Sequence, residues 1–351
     1  MKIAFILPKL VNQAPVLVVK DLIDQIQDKV SLIEIYYFEG KNEIGFECAC
    51  HKISFFDKID FDKYDIIHSH MLRPDLYIWR NKKYIKNAKC VSTLHNDIYK
   101  VLKDTHNMFV SFFVNKIWLF ALRYQDAVVM LSQNMKKQYS RTLKINKLHV
   151  IYNGRSLNDV RLNAEIDAED IERIKKLKSN YKIIGVSARL MKIKGFSQLV
   201  QVLPDLKDYA LVFVGDGQEK EKLIDLSLKL GVYERCLFLG YRKDGYRYLF
   251  FFDFYAMTSY SEGFPLGLLE AAQFKLPVVC SSLPIFKEIF DETEVSYFEL
   301  DDMKSLKEAI LYLEKNKHSF LQNFSRKVAE KYTVEMMSKN YLMLYNKMIN
   351  F

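Results

Sequence analysis

The chain is poor in glycine, cysteine and uninterrupted apolar sequence. Glycine occurs 12 times in 351 residues, about half its usual ~7% share, which excludes a collagen-like or glycine-rich linker protein. Each loop glycine is therefore expected to hold a specific backbone position. The five cysteines, Cys48, Cys50, Cys90, Cys236 and Cys280, are odd in number, scattered and without a C-x-x-C pair. That excludes a disulfide framework and a structural zinc site, and fits a reducing cytosol. No run of 18 apolar residues occurs, so no membrane-spanning helix is expected, and Ile3 to Leu7 is too short for the core of a signal peptide. The longest apolar stretch, Met108 to Leu122, is interrupted by Ser111, Asn115 and Lys116. It reads as a buried helix, with a membrane-dipping helix as the alternative.

What is present is enough apolar sequence, half of all residues, to build two ordinary cores. A net charge of +9 favours an anionic partner: phosphate, nucleic acid or an acidic lipid surface. Short β-branched runs alternate with helical patterns along the whole chain, the mark of an α/β protein with parallel sheets. Strands are expected at Lys2–Leu7, Leu32–Tyr37, Asp65–His68, Lys89–Leu94, Ala127–Leu131 and Leu148–Tyr152. A second series follows at Lys182–Ser187, Ala210–Val214, Cys236–Leu239, Phe254–Met257, Pro277–Cys280 and Val295–Phe298. Between the series lies a charged stretch with one amphipathic helix, Ala168 to Leu177. This divides the chain into domains 1–165 and 166–332, with a terminal helix in 333–351. The helix Gln218 to Leu230 is expected to present Leu223, Leu226 and Leu230 on one face, with Ile224 and Leu228 beside them and Gly231 as its cap. Two such sheets would hold a ligand at the carboxyl ends of their strands, in a cleft between the domains.

Three constellations carry chemistry in the second half. In Thr258-Ser259-Tyr260-Ser261-Glu262-Gly263-Phe264-Pro265-Leu266-Gly267, a strand end runs through a Gly/Pro loop into a helix, with Pro265 as a candidate first residue. The backbone N–H groups of Gly263 to Gly267 would form an anion site at that helix N-terminus. Glu262 and Glu270 flank it and could accept hydrogen bonds from vicinal hydroxyls of a sugar or ribose. In Gly185 to Gly195, Arg189 offers a planar fork and Lys194 a point charge for a diphosphate. Phe213-Val214-Gly215-Asp216-Gly217 lacks the third glycine of a dinucleotide fingerprint and reads as a tight turn.

The first half offers His68, His70 and His95 just beyond strand ends, as substrate contacts or, alternatively, as a metal cluster. Asp60-Phe61-Asp62 has the D-x-D pattern of metal-dependent glycosyltransferases, but it precedes a strand and reads as a solvated turn.

In combination these motifs resemble family 4 of the retaining, GT-B-fold glycosyltransferases, especially bacterial surface-polysaccharide enzymes. Ser187-Ala188-Arg189-Leu190 to Lys194-Gly195, Gly215-Asp216-Gly217, Phe238-Leu239-Gly240-Tyr241 and Glu262-Gly263-Phe264-Pro265 to Glu270-Ala271 follow in the family's order and spacing. The amino-terminal match rests on His68-Ser69-His70, Leu94-His95 and Tyr152-Asn153-Gly154. The resemblance implies two Rossmann-like domains facing a central cleft, and retaining transfer from a nucleotide diphosphate sugar, with a UDP-sugar expected. By the same resemblance Arg189, Lys194, Glu262 and His95 form the catalytic set. Arg189, Lys194, Gly215, Leu239, Tyr241, Gly263, Phe264, Pro265, Leu266 and Glu270 would contact the donor, with no metal or other cofactor. The terminal helix would cross back onto the first domain. The loop Pro8 to Pro15 departs from the family pattern by having no glycine pair, and Lys9 or Asn12 is the candidate substitute.

The expected acceptor is a glycan or lipid-linked saccharide in surface-polysaccharide or lipopolysaccharide synthesis, and the expected location is the cytoplasm, with peripheral contact to an anionic inner membrane face. Asn81 to Lys86 and Met135 to Tyr139 are the basic-aromatic segments that suggest that contact. Two rivals remain. One is a nucleotide-sugar epimerase of the same architecture. The other is a basic nucleic-acid-binding protein using its 25 Phe, 22 Tyr and 2 Trp. Runs such as Leu249-Phe250-Phe251-Phe252 read instead as core, and nucleic acid is not the expected partner.

Overall fold

The computed structural model describes residues 1–96, 108–155 and 166–350. The chain forms two compact units, Met1–Ser156 with Tyr332–Phe351, and Leu157–Lys331. The boundary expected at 165 falls on the stretch 156–165, which lies outside the described residues, as does Asp97.

The first unit holds strands β1 (Lys2–Lys9), β2 (Leu32–Glu39), β3 (Ala49–Lys52), β4 (Ile66–His70), β5 (Lys89–Leu94), β6 (Ala127–Met130) and β7 (Leu148–Val150). They form one sheet in the order β3-β2-β1-β4-β5-β6-β7, and every pairing is parallel. Ile3 to Leu7 are fully buried; covered on both faces, a parallel strand reads as a continuous apolar run rather than an alternation. The strand β3 has no apolar run, because it is an exposed edge pairing only with β2. The helix Val334–Ile349 packs on the helix Ala14–Ile26, burying Val334, Met337, Tyr341, Leu344 and Tyr345. At the chain's return, a Cβ on Gly154 would lie 2.1 Å from the Thr333 carbonyl oxygen, so only glycine allows that approach.

The second unit holds β8 (Lys182–Ser187), β9 (Tyr209–Val214), β10 (Cys236–Gly240), β11 (Phe254–Met257), β12 (Val278–Ser281) and β13 (Ser296–Phe298). The sheet order is β10-β9-β8-β11-β12-β13. Adjacent β8 and β11 are separated in sequence by β9 and β10, so the strand order reverses between them. In such a sheet this reversal opens a crevice at the strands' carboxyl ends. The core is built on Phe213, Leu199, Leu203 and Leu306, all fully buried, with Phe213 stacked on Phe238 at 4.7 Å.

Two helical expectations need correction. The helix after β9 spans Lys220–Lys229 and buries Leu223 and Ser227, whereas Leu228 and Leu230 are exposed; its inward face is one residue narrower than the leucine pattern suggested. Gly231 does cap it, at φ +67°. In the aromatic run, Leu249 and Phe252 are buried but Phe250 is exposed, because a tight helical turn (Gly245–Phe251) points alternate rings outward.

Candidate functional site

The loops after β8 and β11 leave the sheet side by side, at its reversal point. Lys194 Nζ donates to Glu262 Oε1 at 2.6 Å, and the Ser259 hydroxyl donates to the same oxygen at 2.6 Å. Glu262 is only 9% exposed. With both donors on Oε1, its Oε2 makes no bond among the described residues and stays available as an acceptor. Arg189 is exposed, and its guanidinium has no partner among the described residues. Of the two cations, one is therefore fixed and one unengaged.

Backbone contacts hold the loops together. Tyr260 N–H donates to the Ile193 carbonyl at 2.8 Å, and the Thr258 hydroxyl to the Lys194 carbonyl at 2.9 Å. Gln198 is fully buried. Its amide donates to the carbonyls of Gly195 and Thr258 at 3.1 and 3.0 Å, and its oxygen accepts from Asp301 N–H at 2.8 Å. Gln198 and Ser259 carry no sequence signal; only the structure shows them as struts.

Gly215-Asp216-Gly217 is not the tight turn expected from its sequence. It runs on past the end of β9 at positive φ, +149° at Gly215 and +159° at Gly217, and lies along the next loop: Ala188 N–H donates to the Val214 carbonyl at 3.0 Å and Leu190 N–H to the Asp216 carbonyl at 2.9 Å. Cβ atoms on Gly215 and Gly217 would lie 1.9 and 2.2 Å from the carbonyl oxygens of Ala188 and Leu190. The glycines thus let this backbone lie against the loop that carries Arg189.

The helix Leu266–Gln273 begins one residue later than expected, with Pro265 as its cap residue and no side-chain cap. Leu266 N–H donates to the Phe264 carbonyl at 3.0 Å, and Pro265 has no N–H. Gly263 and Gly267 are then the glycine N–H groups of this loop without a backbone acceptor among the described residues. Gly263, Phe264 and Pro265 are buried, whereas Leu266 and Glu270 are half-buried. Beneath the helix start, a Cβ on Gly267 would lie 2.4 Å from the Tyr255 hydroxyl. Burial, with Glu270 and Glu262 nearby, pushes that hydroxyl up from its ordinary range, so Tyr255 stays neutral. On the edge strand β10 Leu239 is buried, and Tyr241, just past the strand's end, is exposed.

In the first unit the strand ends carry neutral histidines. His70 Nδ1 and His95 Nε2 lie 2.9 Å apart, and the rings of His68 and His70 are 4.1 Å apart. His68 bonds Tyr345 at 2.7 Å and Thr93 at 2.8 Å, and Thr93 bonds Tyr341 at 3.0 Å. Burial lowers His68 to about 3 and His95 to about 4, and sends His70 well below its ordinary value. The row therefore presents hydrogen-bonding groups without charge. His70 ends β4, beside β1, where this sheet's order also reverses. The next residue, Met71, sits at φ +73° and ψ 171°, a region that costs a non-glycine residue about 1–3 kcal/mol.

Asp60 precedes, and Asp62 lies within, the short helical turn Phe61–Lys63, whose Phe61 is buried, and no group of three metal-ligating side chains is found among the described residues. Asn12 is half-buried in the glycine-free first loop. Two surface expectations are overturned. Met135 and Tyr139 are buried, so that segment presents no aromatic face. The helix Met108–Leu122, expected to be buried, instead exposes Phe109, Phe113, Ile117 and Phe120, while its opposite side packs on the helix Leu72–Asn81.

Comparison with known proteins accords with this architecture. Residues 167–331 match the model of the glycosyl transferases group 1, and residues 51–159 that of Glycosyltransferase Family 4. The chain is 28% identical over 354 residues to the O-antigen biosynthesis glycosyltransferase WclY of Escherichia coli, covering 99% of both chains. It is 26% identical over 317 residues to the E. coli UDP-Gal:alpha-D-GlcNAc-diphosphoundecaprenol alpha-1,3-galactosyltransferase, covering 85% of this chain and 74% of that one. Anabaena Alr3699/HepE, solved with UDP and glucose, superposes with a TM-score of 0.79 at 17% identity, over 99% of this chain and 100% of that one. The chain belongs to the family 4 glycosyltransferases of the GT-B fold, a sugar-transferring enzyme that groups with the lipopolysaccharide and surface-polysaccharide type. No helix among the described residues is long and apolar enough to cross a membrane.

Proposed function

We propose that this glycosyltransferase moves a sugar from a uridine diphosphate sugar to a lipid-linked saccharide during O-antigen assembly, with retention of anomeric configuration and without a metal ion. The observation that carries this reading is the pairing of the two motif loops, which joins Lys194 to Glu262, four residues before the helix Leu266–Gln273, with Arg189 exposed on the same loop as Lys194. A departing diphosphate gains negative charge as the glycosidic bond breaks, and fixed cations with unpaired N–H groups stabilise that charge more than they stabilise the ground state. Arg189, unengaged, meets the diphosphate with its planar fork, and Lys194, oriented by Glu262, supplies the second charge. The open oxygen of Glu262 accepts a hydroxyl of the donor sugar, and Glu270 accepts the ribose hydroxyls. His95 presents its neutral ring to the reacting face, and the backbone from Leu239 to Tyr241 meets the base. The relatives' names support a lipid diphosphate acceptor: one acts on a saccharide carried on diphosphoundecaprenol.

Calorimetric titration with UDP, GDP and ADP in EDTA tests the donor. UDP should bind selectively, and Glu270→Ala should weaken it about tenfold to a hundredfold, as expected for a lost hydrogen bond to a charged group. Undiminished affinity in that variant would remove the ribose from this helix. Product analysis with a lipid-linked saccharide should show a lengthened glycan rather than free epimerised sugar nucleotide.

A further inference from the structure

Beyond the strand β10 the chain leaves its sheet with little apolar packing of its own. The register against β9 shifts between Phe238 and Gly240, and Gly240 turns out of the strand at φ +76°. Gly215 N–H donates to the Gly240 carbonyl at 2.8 Å. The chain then runs over the ends of β8 and β9: a Cβ on Gly245 would lie 2.8 Å from the Ser187 hydroxyl oxygen and 3.2 Å from a Val214 methyl. The segment 241–248 therefore borders the loop that carries Arg189, which begins at Ser187. Tyr241 is 61% exposed and Lys243 is exposed as well, so burial of side chains does little to fix the tip of this turn.

One buried carboxylate fixes it instead. Asp170, on the helix Ala168–Lys178, is 2% exposed. It accepts from Arg242 Nε at 2.7 Å on one oxygen and from Arg242 Nη2 at 3.0 Å on the other, the paired geometry that a planar fork offers a carboxylate. The Tyr248 hydroxyl donates to the same carboxylate at 2.6 Å, and Tyr248 is itself buried. Both ends of the segment 242–248 are thus tied to Asp170. Burial opposes the charge on Asp170, yet the hydrogen bonds from Arg242 and Tyr248 outweigh it and hold the carboxyl below its usual range. The remaining nitrogen of the fork, Arg242 Nη1, donates to the Tyr241 carbonyl at 3.1 Å. A single guanidinium therefore connects a buried helix carboxylate to the backbone at the tip of the turn. Such an ion pair adds little net stability, because desolvating the charges offsets most of their attraction. What it contributes here is position.

We propose that Asp170 and Arg242 are positioning residues for the nucleotide: Asp170 holds the Arg242 guanidinium, the guanidinium holds the Tyr241 carbonyl, and the backbone from Leu239 to Tyr241 is thereby kept in the shape that receives the base. Both side chains act through the turn and neither touches the donor. The proposal rests on the reading that brings the base to this turn, and adds the residues that prepare the turn for it. A turn ordered before the ligand arrives does not have to be ordered at the expense of affinity. No motif announces the pair, since Asp170 lies 72 residues before Arg242 in the chain and only the fold joins them.

Titration of the full chain with UDP and, separately, with inorganic pyrophosphate divides the base contact from the diphosphate contact. The wild type should prefer UDP by at least about a hundredfold. Two variants loosen the turn. Arg242→Lys has one nitrogen, which cannot span both carboxylate oxygens and the carbonyl. Asp170→Asn with Arg242→Gln removes both charges together. Each should lower UDP affinity about tenfold and leave pyrophosphate affinity unchanged. Circular dichroism should show both folded, and Arg242→Lys, which keeps a cation beside Asp170, stays readable if the double variant unfolds. Tyr209→Phe removes a hydrogen bond to Glu314 elsewhere in the same unit and is the control: its thermal midpoint should fall while UDP affinity holds. Unchanged UDP affinity in both turn variants overturns the proposal and leaves the base at the turn. Equal losses of UDP and pyrophosphate affinity, or a loss of UDP affinity as large in Tyr209→Phe, overturn it as well, since the pair would then act through general stability. A wild type that binds UDP no tighter than pyrophosphate removes the base from this turn, and the proposal with it.

Discussion

The two sheets end in opposite chemistry. At the reversal point of the second sheet stand two cations, a buried glutamate and a helix start; at that of the first stand three histidines that burial keeps uncharged. The glycines divide in the same way: nine of the twelve lie in residues 166–331, and several of them bring backbone against backbone where no Cβ fits. A phosphate is recognised by charge and by close backbone N–H groups, so its site needs glycines and fixed cations. A sugar acceptor is uncharged and is recognised through hydroxyls, for which neutral donors and acceptors suffice. The strict glycine requirements of this fold thus fall on the second unit, where the proposed diphosphate site lies.

The sharpest way to break this comparison is to remove one group from each sheet. Lys194→Ala should lower kcat/KM by about 10²–10³-fold, because a preorganised charge on the leaving group is lost and Glu262 is left buried without its cation. His95→Ala should lower kcat while leaving UDP affinity unchanged. If titration showed equal loss of UDP affinity in both variants, the proposed division of labour would be wrong.

A smaller effect is expected from the glycines. Gly215→Ala should cost about 1–3 kcal/mol in thermal or denaturant unfolding, since the new methyl meets the Ala188 carbonyl oxygen, and it should weaken UDP through the displaced Arg189 loop. Gly40→Ala, at φ +77° with open space around it, should cost only about 1 kcal/mol of backbone strain and leave UDP binding alone. Equal UDP affinity in both variants would separate the glycine contacts from the site.

A further effect is a pH dependence arising in the first sheet. His68 is lowered to about 3 by burial, so below its ordinary value near 6.5 the unfolded chain takes up a proton that the folded chain refuses. Its contribution to stability is complete above about pH 6.5 and declines as pH falls, by on the order of 2 kcal/mol at pH 5. Asp75, raised to about 6 by burial, acts in the opposite direction, holding its proton in the folded state between about pH 4 and 6. Scanning calorimetry at pH 7 and pH 5 should show a shallower acid shift in His68→Gln than in the wild type; a steeper one would place the sensitivity elsewhere.

Most strands were legible in the sequence because a parallel strand buried on both faces must be apolar throughout. The exception, β3, is an edge whose Ala-Cys-His-Lys sequence carries no such run. The motif loops were legible for a related reason: glycine, proline and paired charges at a strand end have few other uses. Gln198, Ser259 and Tyr255 were not, since a polar side chain in a strand or helix looks the same whether it braces a loop or meets water. Nor was the outward turn of the helix Met108–Leu122, because fifteen nearly uncharged residues describe a buried helix and a lipid-facing one equally well. By itself the sequence determined the fold class and the positions of the glycine-bearing motif loops, since backbone clearance and burial leave residue-specific marks. Tertiary structure alone decided which loops meet, which cation is fixed, which histidines stay neutral and which aromatic face is left uncovered, because each depends on distances between residues far apart in the chain.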